Sequence, residues 1–182
     1  MDNFHESQSS NSICISKHQL MKGIIIVMLA IVFNSSFAQT TTDYDNVKLA
    51  TAADCKAADP IALEASTYLL SKPFEKDNVV RLKSLAFIIQ WMSATPDYHF
   101  TLDESVVKPL KSNDEYLGLY MAAMTKYSLE NKESANDLNL VKVNAMTAVL
   151  NYCENEANNM KMTKPLKKLS EAKANGELEK SL

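Results

Sequence analysis

The sequence predicts an all-α protein: a single compact domain of about five helices, preceded by a signal peptide and a flexible lead-in. Three observations carry this. The chain has only 3 glycines, which argues against tight hairpin turns and glycine-rich phosphate loops. No alternating apolar–polar segment is long enough to build a sheet. Four stretches beyond residue 57 place apolar side chains at helical spacing, each introduced by a cap residue or ended by a proline or a polar break.

The elements follow in order. Residues 1–20 are polar, without an apolar face, and read as an over-extended start or a disordered leader. Met21–Ala38 has the layout of a signal peptide: Lys22, an apolar run from Gly23 to Phe33, then Ser36 and Ala38 as small residues before Gln39. That run is about half of the ~20 residues needed to span a bilayer. Cleavage between Ala38 and Gln39 is expected. The product would be exported, periplasmic or extracellular, with no stable membrane anchor after cleavage.

Residues 39–57 read as the flexible lead-in and residues 58–182 as the helical domain. Asp59-Pro60 supplies an N-cap acceptor followed by proline at the first helical position, and Pro73 closes that helix. Asp77 caps a second helix over about 78–94. Its later half, Leu85–Met92, is apolar on nearly all sides, which predicts a central, buried helix with Trp91 inside. A short helix is expected after Thr101 or Asp103. The third long helix follows Asn113-Asp114, the fourth runs over about 136–156, and a basic fifth begins at Thr163 and stops at Asn175-Gly176.

Leu85–Met92 aligns apolar to apolar with Met146–Cys153, and Lys108–Lys111 recurs as Lys164–Lys167. This hints at two repeat-like helical hairpins, although any two amphipathic helices can align this well by chance.

The stretches WMSATPDYHFTLDES, LYMAAMTKYSLEN and KPLKKLSEAKANGELEKSL resemble an uncharacterised family of small exported all-helical bacterial proteins. The similarity covers most of residues 55–182. It implies a signal peptide and a helical fold, and it carries no catalytic or ligand residue onto this chain.

Composition narrows the functional classes. Nineteen basic residues face 22 acidic ones, a net charge of −3, which argues against nucleic acid, whose phosphates require a basic face. After residue 38 the only cysteines are Cys55 and Cys153, and in an exported chain such a pair predicts a disulfide, with a buried thiol at Cys153, on a helix face shared with Met146, Val149 and Leu150, as the alternative. Its long loop would contribute ~4–5 kcal/mol by chain entropy. Neither a cofactor motif nor a metal-ligand pattern is present, with one histidine after residue 38 and no acidic loop of calcium spacing.

That histidine, His99, lies in TPDYHFTLDES beside Asp97, Asp103 and Glu104. It could act as a general base oriented by Asp97 or Glu104, or be a loop histidine between two aromatic residues with the acids serving as helix caps; the second reading is favoured. Tyr116, Tyr120 and Tyr127 lie along one side of the third long helix, near Gly118, Ala122 and Ala123. They read as core, with an aromatic groove for a helix or an apolar small molecule as the alternative.

Lys161, Lys164, Lys167, Lys168 and Lys173 form either a solvated face or one suited to an anionic envelope surface. The function expected is that of a non-enzymatic envelope protein acting through a protein partner. A hydrolase or transferase built on His99 and its neighbouring carboxylates is the alternative.

Overall fold

The computed structural model describes residues 43–182. The Met21–Ala38 segment, the Ala38/Gln39 junction and the leader before them lie outside the described residues. Among the described residues there are seven α-helices and no strand, as an all-α class requires. They are α1 (Ala52–Ser71), α2 (Val79–Ala94), α3 (Glu104–Leu110), α4 (Asp114–Glu130), α5 (Leu138–Glu154), α6 (Lys164–Ala174) and α7 (Leu178–Ser181). None is long and apolar enough to cross a membrane.

Most helix starts are chemically explicit. Asn78, Asp103, Asn113, Asp137 and Thr163 each accept a hydrogen bond from a backbone N–H of the first turn, satisfying donors that the helix itself cannot. Asp77, expected as the cap of α2, instead sits one residue earlier at φ 60°, and Asn78 takes the role. At the far end of α6, Gly176 adopts φ 72°, the left-handed stop that Asn175-Gly176 predicts.

The start of α1 differs from expectation. Thr51 and Asp54 form a complete capping box, and the helix runs through Pro60 without ending there. The reciprocal box satisfies two backbone donors, and the exposed Pro60 removes only one internal bond. Residues assigned to the lead-in are docked as well. Tyr44 stacks on Phe87 with ring centroids 4.9 Å apart, and its hydroxyl lies 3.1 Å from Ser84 Oγ.

Two helical hairpins, α1–α2 and α4–α5, are joined through an extensive α1–α4 interface. Alanines carry α1 into it: Ala58, Ala62 and Ala65 are buried, with Ser66 and Leu69. On α4, Gly118, Ala122 and Thr125 are buried at i, i+4 and i+7. Small side chains on both helices allow the axes to approach closely.

The centre of the bundle is therefore α4, which packs against α5, α1, α2 and α3. The expectation that α2 is central is corrected. Trp91, Ile88, Phe87 and Ser84 point inward, while Val79, Leu82 and Ile89 are exposed. Nor is the Lys-Pro repeat structural. Pro109 lies inside α3 near its end, whereas Pro165 opens α6, so matching tetrapeptides occupy opposite ends of a helix.

The core has two parts. One gathers Met124, Met146, Val149, Leu150 and Leu166 around α4, α5 and α6. The other gathers the α1 alanines with Phe87, Ile88, Trp91 and Tyr98.

Candidate functional site

The expected disulfide is absent. Cys55 and Cys153 are both free and both buried. Cys55 lies in the first turn of α1, where its thiol donates to the Leu49 carbonyl at 3.7 Å. Cys153 lies near the end of α5, and its neighbour Tyr152 donates to the carbonyl of Lys72, just past the other end of α1, at 2.7 Å. Cys55 and Lys72 are separated by roughly 25 Å of helix at about 1.5 Å per residue. A bridge needs Cα atoms within about 7 Å. Burial pushes the Cys153 thiol up to about 11, which suppresses the reactive thiolate.

His99 does not organise a catalytic group. It is exposed between buried Tyr98 and half-buried Phe100 and makes no hydrogen bond or ion pair to any described residue. Asp97 turns instead to Lys56, 3.4 Å away. Asp103 caps α3, where hydrogen bonding from the Ser105 hydroxyl holds its carboxyl below the ordinary value. Glu104 is an exposed first-turn acid of the same helix, where it complements the dipole. His99 is thus an exposed loop residue and Asp103 and Glu104 are helix-start acids, whereas Asp97 caps no helix. No group of three or more metal-ligating side chains occurs among the described residues.

The strongest polar feature is structural. Arg81, buried in the first turn of α2, donates to the carbonyls of Leu69 and Lys72, each at 3.2 Å. It forms a close ion pair with Glu115 at the start of α4 and lies 5.7 Å from the Phe74 ring centroid. The guanidinium thus satisfies the carbonyl end of α1 while tying α2 to α4. The tyrosines of α4 behave as core with polar tips. Tyr116 and Tyr120 are buried, and the Tyr116 hydroxyl donates to the Lys161 carbonyl at 2.6 Å.

At the opposite end of α1, Trp91 is fully buried and donates from Nε1 to the Cys55 carbonyl at 3.2 Å. Asp59 is buried nearby, with neither carboxylate oxygen hydrogen-bonded and Lys56 Nζ 3.5 Å away. The charge of Asp59, then the hydrogen bond to Asp97, holds the Lys56 ammonium above its ordinary value. The group is a helix-surface ion network with one buried member.

The outer side of α2 carries a feature that the apolar pattern of the sequence does not single out. Val79, Leu82, Ala86 and Ile89 fall at +3, +4 and +3 spacing and share one solvent-facing stripe. Val79 is 64% exposed, Leu82 58% and Ile89 41%. Spacing of this kind forms the seam of a helix pair. The signal was present in VVRLKSLAFII, concealed by the neighbouring inward residues that also read as apolar.

No family model, curated protein or solved structure matches the chain.

Proposed function

We propose that this is a non-enzymatic exported protein of the cell envelope, periplasmic or extracellular, that acts by holding a protein partner on the outer face of α2. The observation that carries the proposal is the exposed Val79–Leu82–Ala86–Ile89 row, whose spacing suits an amphipathic helix presenting its own apolar stripe. The helix beneath is firmly held. Arg81, Ser84, Phe87, Ile88 and Trp91 are buried along its inner side, so the row is presented on a preorganised element.

Site-specific photocrosslinking in cells provides the test. A crosslinker at Leu82 should yield one discrete adduct that disappears on Ile89→Glu, while a crosslinker at exposed Lys132 should not yield it. Equal adducts from both positions, or an adduct indifferent to Ile89→Glu, would overturn the proposal.

A further inference from the structure

A second face carries an independent signal. Lys108 on α3 and Lys164 and Lys168 on α6 rim an open cleft of about 490 Å³, with Pro109 and Leu169 in its lining. Lys108 also borders an adjoining hollow of about 440 Å³, shared with Lys111, Glu104 and Leu102. The two concavities share Lys108 in their linings, and Leu102 in the second is 45% exposed.

The lysines here differ in one respect from six others. Lys56, Lys83, Lys126, Lys142, Lys173 and Lys180 each stand within 4.0 Å of a carboxylate. Lys108, Lys111, Lys164 and Lys168 are exposed and pair with none among the described residues; Lys48, Lys72, Lys76, Lys132, Lys161 and Lys167 are also exposed and unpaired, but only the first four line these hollows. The cleft lining carries Lys108, Lys164 and Lys168 and no carboxylate, and the adjoining hollow adds Lys111 beside Glu104.

We infer that this α3–α6 face is a reversible contact surface for an anionic phospholipid bilayer. The charge chemistry favours this occupant over a single bound phosphate. Recognition of one phosphate favours arginine, whose fork binds two oxygens at once, and the chain's single arginine, Arg81, is committed to the α1–α4 junction. Mobile ammonium groups spread around an open surface suit a dispersed negative field, and four to eight of them constitute an effective polybasic patch. Leu166 and Leu169 of α6 are buried in the bundle, so the helix stays with the domain. Lysines and the Leu102 side chain rest against the headgroups.

Co-sedimentation of the full chain with vesicles tests this, comparing phosphatidylglycerol–phosphatidylcholine mixtures with phosphatidylcholine alone. The apolar run Gly23–Phe33 would bind either vesicle, so the readout is the difference between them. That difference should be positive, shrink in high salt, and fall roughly 100-fold in Lys108→Gln/Lys164→Gln/Lys168→Gln, at about fivefold per lysine. The matched variant Lys56→Gln/Lys83→Gln/Lys126→Gln, with the same charge change elsewhere, should keep most of it. If the triple variant does not fold, Lys164→Gln alone should show the loss of about fivefold.

Equal partition of the parent chain onto both vesicles would overturn the inference, as would equal loss in the matched variant. Inorganic phosphate or polyglutamate protecting these lysines from acylation better than the vesicles do would also overturn it, reassigning the face to a free anion or an acidic peptide.

Discussion

Helices α2 and α4 look interchangeable in apolar content, yet the bundle uses them in opposite ways. The α2 segment LAFIIQWM is the more hydrophobic, yet its helix lies to one side of the bundle, with Leu82 and Ile89 in solvent. The α4 segment YLGLYMAAMTKYSL contains glycine, alanine, threonine and tyrosine, and it contacts α1, α2, α3 and α5. Centrality follows from how closely neighbours can approach. Gly118, Ala122, Ala123 and Thr125 let α4 accept helices on several sides, whereas the large side chains of α2 fill one interface and leave the rest over.

The largest effect should come from the inward side of α2. Trp91→Ala removes a fully buried ring, its hydrogen bond to Cys55 and its contacts with Tyr98 and Phe100. A loss of ~3–5 kcal/mol in equilibrium denaturation is expected. Next is the tie between the two helices. Glu115→Ala strips the buried Arg81 of its carboxylate and should cost ~3 kcal/mol, because an uncompensated charge remains inside. A cost below ~0.5 kcal/mol would mean that water replaces the carboxylate freely.

A subtler comparison concerns Gly118. A Cβ there would come within 2.8 Å of Leu85 Cδ2, but that atom ends a flexible, half-buried side chain that can shift. Alanine is favoured over glycine in a helix by ~0.8–1.0 kcal/mol. Gly118→Ala should therefore stay within ~1 kcal/mol of the parent, measured by thermal or urea unfolding. A larger loss would show that the α2–α4 contact cannot yield.

The smallest effect is electrostatic. Asp103 is held below its ordinary carboxyl value, first by the Ser105 hydroxyl and then by the Val106 N–H and Lys142. Its stabilisation is present above the unfolded value and is lost as pH falls through the lower folded one. Asp103→Asn should flatten stability only below about pH 4. An effect centred near neutrality would point to another group.

Local chemistry made the helix starts legible: Asn113, Asp103 and Thr163 declare them, and Gly176 declares a stop. The start of α1 was obscured because Asp59-Pro60 is a stronger-looking signal than Thr51-Asp54, although the latter forms the capping box. The cysteine pair failed for a different reason. Spacing along the chain does not show that Cys55 and Cys153 sit toward opposite ends of α1, which depends on how α5 crosses it. Iodoacetamide labelling followed by peptide mapping should find both thiols unmodified in the folded protein and both modified after unfolding without reductant. A Cys55–Cys153 linked peptide would contradict the free-thiol arrangement. The exposed α2 row was readable as a spacing, but only the packed fold distinguishes an outward stripe from an inward one.

The contrast between a crowded α4 and a one-sided α2 is tested most directly by paired equilibrium denaturation of Ala122→Leu and Leu82→Gln. Ala122 is fully buried and Leu82 mostly exposed. Overpacking at Ala122 should cost ~1–3 kcal/mol or more, while Leu82→Gln should remain within ~0.5 kcal/mol of the parent. The reverse order, with Leu82→Gln costly and Ala122→Leu tolerated, would place α2 at the centre and contradict the account.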